Sequence, residues 1–134
     1  MTTSSQLILV VDDNVAGLEL VRFVLEIEGF RVETAASSGE VLQRLKVNTP
    51  DLILMDVQLP GQDGLSLTRQ LKADPASSHI PIVALTAHAM EGDREQALAA
   101  GCSGYVTKPI NTRTFGEEVK EFLSAELPEP KPLV

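Results

Sequence analysis

Four short apolar runs punctuate this chain, and each ends on a side chain able to handle a phosphoryl group. Leu7-Ile8-Leu9-Val10-Val11 runs into Asp12-Asp13, and Leu52-Ile53-Leu54-Met55 runs into Asp56. Ile82-Val83-Ala84-Leu85 runs into Thr86, and Tyr105-Val106-Thr107 runs into Lys108-Pro109. Unbroken apolar runs of this length suit strands buried on both faces of a parallel sheet. In such sheets ligands bind beyond the carboxyl ends of the strands, beside the point where the strand order reverses. Three acids, a hydroxyl and a lysine are therefore expected to converge on one spot, an arrangement suited to accepting a phosphoryl group.

Helical periodicity fills the gaps between the runs. From Asn14 to Glu28, Leu18, Val21 and Leu25 share one face, with Leu20, Val24 and Ile27 beside it. So wide a stripe predicts a helix packed on the sheet and touching a neighbouring helix, and Gly29 fits its C′ position. Arg31-Val32-Glu33-Thr34-Ala35 alternates polar and apolar, as an edge strand does. Ser37 and Glu40 have capping-box spacing ahead of Val41, Leu42 and Leu45, and Pro50 bars further helix before Leu52. A loop from Val57 to Gly64 leads into a short helix that Asp74-Pro75 ends. Further helices are predicted from about Met90 to Ala100 and from about Asn111 to Leu127. Five β-α units in series imply an α/β, flavodoxin-like doubly wound (βα)5 sandwich with a parallel sheet in the order 2-1-3-4-5.

Composition narrows the function classes. A chain of 134 residues, 43% apolar and 22% charged, has the make-up of a globular protein large enough to bury a core without staples. A formal net charge of −8 and no basic arm argue against nucleic acid as a partner. The single cysteine, Cys102, cannot form an internal disulfide, so a cytoplasmic setting is expected. No apolar run is long enough to span a membrane, and the opening residues lack the pattern of a signal peptide. Residues 1–5 read as a frayed leader, 6–127 as the folded domain and 128–134, with three prolines, as a disordered tail.

Three carboxylates a few ångströms apart repel one another, and burial raises their pKa values further. A hard divalent cation relieves that repulsion, with Mg²⁺ taking carboxylate, water and phosphate oxygens and drawing a phosphoryl group into line. Asp56, on the central strand, is the candidate nucleophile, since a carboxylate attacking phosphorus gives an acyl phosphate. Taken singly, these residues are bland: an Asp-Asp pair is commonly a solvated loop, Thr86 a strand-end hydroxyl and Lys108 a surface lysine. Their recurrence at successive strand ends is what points to a site.

Together the segments Val10-Val11-Asp12-Asp13-Asn14, Leu54 to Gly64, Leu85-Thr86-Ala87 and Tyr105-Val106-Thr107-Lys108-Pro109 resemble the CheY-like receiver domains of two-component response regulators, over roughly residues 6 to 125. The resemblance implies that Asp56 accepts a phosphoryl group from a phosphohistidine of a histidine kinase or a histidine phosphotransfer protein. It implies Mg²⁺ (or Mn²⁺) held by Asp13, Asp56 and the backbone carbonyl of Gln58, with Asp12 acting through water. Lys108, aimed by a cis bond to Pro109, would pair with the phosphoryl oxygens. Thr86 would move to hydrogen-bond the phosphoryl group and Tyr105 would turn inward, while Gln58 and His88 would tune dephosphorylation. Gly61-Gln62 departs from the usual apolar residue of that loop.

Two rivals fit less well. A flavodoxin needs a Ser/Thr/Gly-rich phosphate loop after the first strand, where this chain has Asp12-Asp13-Asn14. A phosphatase of the haloacid-dehalogenase type needs Asp-x-Asp, and Asp56-Val57-Gln58 lacks the second acid. The expectation is a phosphoacceptor and not a turnover enzyme, acting on a protein partner through the face around Tyr105 and the last two helices. Met1 and the short tail favour a free-standing regulator over a receiver cut from a hybrid kinase.

Overall fold

A computed structural model describes residues 6–59, 62–86 and 91–125. The leader, Pro60-Gly61, Ala87, His88, the expected helix start at Met90 and the tail lie outside the described residues. Five strands alternate with five helices: β1 (Leu7–Val11), α1 (Val15–Ile27), β2 (Arg31–Ala35), α2 (Ser38–Val47), β3 (Leu52–Asp56), α3 (Gly64–Ala73), β4 (Ile82–Thr86), α4 (Glu91–Ala100), β5 (Gly104–Thr107) and α5 (Phe115–Ala125). All neighbouring strands pair in parallel, in the expected order β2-β1-β3-β4-β5. Chain order therefore reverses between β1 and β3, and the strand ends beside that gap carry Asp12 and Asp56.

Alternation along the strands divides the core into two layers. Leu9, Val11, Ile53, Met55, Ile82 and Ala84 pack with α2, α3 and α4. Ile8, Val10, Leu52, Leu54, Val83 and Leu85 pack with α1 and α5. β1, β3 and β4 are buried along their whole length, as two-sided cover demands. β2 has the partly exposed pattern of an edge.

Side chains set the helix ends. Asn14 accepts from the Gly17 amide at 2.8 Å at the start of α1. Gly29 takes φ 99° just past its end, a backbone conformation that other residues reach only with strain. Ser37 accepts from Glu40 N at 3.3 Å, and Glu40 reaches back to Ala36 N at 2.7 Å. Asp63 caps α3 through Ser66 N at 2.9 Å, so that helix begins at Gly64. α5 begins at Phe115, later than the predicted Asn111. Asn111 instead accepts from the Arg113 amide through its side chain, holding residues 111–114 in a turn. Its predicted end at Leu127 lies outside the described residues.

α1 packs on the sheet and touches α5 as expected, but only part of its apolar stripe is covered. Leu18, Val21, Val24 and Leu25 of α1 are buried, but Leu20 is 41% and Ile27 67% exposed. The contact of α1 with the sheet and α5 is met by the four buried residues, and the outer flank of the stripe is left in solvent. Among the described residues, no helix is long and apolar enough to cross a membrane.

Candidate functional site

The strand ends bring together the residues singled out above. Asp12 follows β1, Asp56 ends β3, Thr86 ends β4 and Lys108 follows β5. Asp12 and Asp56 are 2% and 5% exposed, while Asp13 faces solvent. One carboxylate oxygen from each of the three acids lies within 4.8 Å of the others. Such a set of hard oxygen donors fits Mg²⁺, with open positions left for water and phosphate oxygens.

Lys108 neutralises part of this cluster. Its ammonium lies 3.0 Å from Asp12 Oδ2 and 3.4 Å from Asp56 Oδ2. Burial pulls the ammonium's pKa down, yet the two carboxylates outweigh it and hold the group above the usual lysine value. Backbone hydrogen bonds fix the acids: Asn14 N donates to Asp12 Oδ1 at 2.9 Å, and Gln58 N to Asp56 Oδ1 at 3.1 Å. Burial pushes the Asp56 carboxyl up to about 6; the Gln58 amide opposes this, Asp12 adds to it and Lys108 also opposes it. A nucleophilic carboxylate with a raised pKa, a cation beside it and room for a metal can accept an electrophilic group at Asp56.

Elements around the cluster complete the pocket. Lys108 N donates to Thr86 O at 2.7 Å, tying the lysine's backbone to β4, and the Lys108–Pro109 peptide is cis. Tyr105, opposite Ala84 in the ladder, is half-buried. It borders a cavity of about 110 Å³ shared with Val57, Leu65, Thr86 and Ala97. A separate groove of about 370 Å³ opens beside Asp12 and Lys108, walled by Gly17, Leu20 and Ile110. Gln58 is exposed, and His88 lies outside the described residues.

Sequence reasoning missed three residues. A Cβ on Gly64 would collide with the Asp56 carbonyl oxygen, and one on Gly17 would stand 3.1 Å from Asp12 Oδ2. The Arg94 guanidinium carbon lies 5.9 Å from the centroid of the Tyr105 ring. The loop glycine at 64 was visible in the sequence, but nothing there revealed what it would touch.

Comparison with known proteins bears on the family and the fold. The model of the response regulator receiver domain matches residues 8–120. The polar-differentiation response regulators DivK of Brucella ovis and Brucella melitensis are 40% identical over 116 residues, covering 87% of this chain and 94% of theirs. A CheY-like receiver domain protein from Methanospirillum hungatei superposes with a TM-score of 0.83 at 32% identity, covering 92% of this chain and 97% of its own. The receiver domain of a sensor histidine kinase from Pseudomonas aeruginosa, solved with magnesium coordinated in its active-site cleft, gives 0.81 at 34% identity, covering 90% and 99%.

Proposed function

The chain belongs to the response regulator receiver family, and on that premise we propose that Asp56 is its phosphoacceptor in a two-component phosphorelay. The donor is a phosphohistidine on a histidine kinase or a histidine phosphotransfer protein. The observation that carries this reading is the Asp56 carboxylate at the end of a buried central strand, 3.4 Å from the Lys108 ammonium. An Asp56 oxygen attacks phosphorus, a P–O bond forms as the P–N bond breaks, and the electron pair stays on the donor imidazole. Bound Mg²⁺ (or Mn²⁺) would supply positive charge against the transferring group, held by Asp12, Asp13, Asp56 and the Gln58 carbonyl. Lys108 exchanges its carboxylate partners for phosphoryl oxygens, and Thr86 donates its hydroxyl to them.

The acyl phosphate adds about −1.5 to −2 charges to a pocket that is already acidic. Thr86 and Lys108 gain phosphoryl oxygens as partners, which exist only in that state, so these contacts shift the population of conformers. Tyr105 follows by turning into the cavity behind Thr86. The outward face of α4, β5 and α5 thereby changes shape and meets a protein partner. Gln58 and His88 tune the lifetime of the phosphorylated state. The chain is a signalling phosphoacceptor and not a turnover enzyme. It works in the cytoplasm, and its charge of −8 leaves nucleic acid out as a direct partner.

Intact mass after incubation with acetyl phosphate tests the reading, with and without Mg²⁺, beside Asp56→Asn. A single Mg²⁺-dependent phosphoryl adduct absent from Asp56→Asn is the expected result. An adduct that persists in Asp56→Asn would place the acceptor elsewhere and overturn the assignment.

A further inference from the structure

α4 carries a cation over the ring of Tyr105. Arg94 lies on the exposed side of the helix, and its guanidinium carbon is 5.9 Å from the ring centroid, within the range of a cation–π contact. Ala97, three residues on and therefore on the same helical face, is buried and lines the cavity of about 110 Å³ that the ring borders. Val57, Gln58, Leu65, Ala84, Thr86 and Gln96 form the rest of that wall. The ring thus stands between two environments supplied by one turn of α4. On one side is a small cavity behind Thr86, walled by polar as well as apolar side chains, and on the other a charged side chain at the surface.

We propose that Arg94 is a positioning residue for Tyr105, holding the ring over α4 and so setting how often it enters the cavity behind Thr86. The proposal rests on the phosphoacceptor reading for its signalling consequence, but the resting contact stands on the geometry alone. A cation–π contact at an exposed site shifts a two-position equilibrium about two- to fivefold. Removing it raises the population of the buried ring before any phosphoryl group arrives. The methylene stem of the arginine can also pack on the ring, and the two contributions are separable by substitution.

The chain makes the test direct, because Tyr105 is its one tyrosine and it has no tryptophan. Tyrosine emission therefore reports this ring alone. Acrylamide quenching of that emission is compared in the full-length protein, Arg94→Met and Arg94→Lys, each with and without Mg²⁺ and beryllofluoride as a phosphoryl mimic. Arg94→Met keeps apolar bulk and loses the charge, while Arg94→Lys keeps the charge. In the resting state the Met variant is expected to be quenched less than the parent, with the buried population raised about two- to fivefold, and the Lys variant to stay near the parent. With beryllofluoride bound, all three are expected to converge. Identical resting quenching in the parent and Arg94→Met, with unchanged melting temperatures, overturns the role of Arg94. Equal loss in Met and Lys variants also overturns it, because charge would then not be the cause. Beryllofluoride binding is followed separately by fluorine NMR. Its absence from all three proteins would count against the phosphoacceptor reading, while the resting comparison still decides Arg94.

Discussion

The end of β3 at Asp56 lies against a residue with no side chain. The Gly64 amide donates to Val57 O at 2.7 Å, and α3 starts so close to β3 that any Cβ at position 64 meets the Asp56 carbonyl. Gly64→Ala must push α3 and the end of β3 apart, an overpacking strain of about 1–3 kcal/mol. Chemical denaturation is expected to show a lowered midpoint of that size, together with slower formation of the acetyl phosphate adduct. Parental stability in Gly64→Ala would mean that the helix start can move without strain. The acids, Thr86 and Lys108 were legible in the sequence because each follows an apolar strand directly. Chain order alone then delivers them to one edge of the sheet. Gly64, Gly17 and Arg94 act through contacts across space, which local sequence does not encode.

Helix α1 shows where periodicity reads well and where it overreaches. A 3.6-residue repeat finds the helix and its inner face, but it cannot say how wide the covering neighbour is. Leu25 is fully buried beside Val21 and Phe115, whereas Ile27 is 67% exposed two positions away. Leu25→Ala is expected to cost about 2–5 kcal/mol, as a core cavity does, and Ile27→Ala to stay within about 0.5 kcal/mol. Urea titration of the two variants side by side checks the assignment of faces. Comparable losses in both would mean that the outer flank is covered by a neighbour. The ends of elements followed the same logic. Ser37 and Gly29 were readable as caps because their chemistry is local. The start of α5 was not, because the Asn111 side chain takes the Arg113 amide and turns the chain before the helix begins.

Stability of the whole molecule is tied to the charge gathered at one end of the sheet. Burial raises the folded-state pKa of Asp56 from 3.8 to about 6, so the folded protein holds that proton more tightly than the unfolded chain does. By linkage this favours folding at low pH, where the carboxyl is neutral in both states. The advantage is lost as pH rises from about 4 through about 6, because an ionised Asp56 must then stay buried beside Asp12. The shift corresponds to about 3 kcal/mol at most, at about 1.4 kcal/mol per pKa unit, and Lys108 already offsets part of the underlying repulsion. Metal-free protein is therefore expected to lose melting temperature between about pH 4 and pH 6. Asp56→Asn removes the titrating group and should flatten that segment of the profile and melt higher at pH 7.5. Saturating Mg²⁺, binding only the folded state, should raise the wild-type melting temperature at pH 7.5 by mass action. The gain should shrink toward pH 5 as protons compete for the same oxygens. A metal-free profile that rises across this window in wild type, or matches that of Asp56→Asn, would show that the acid cluster is already neutralised within the chain. The sheet could then hold its three acids together without a cation, and the physical case for Mg²⁺ at this edge would fall.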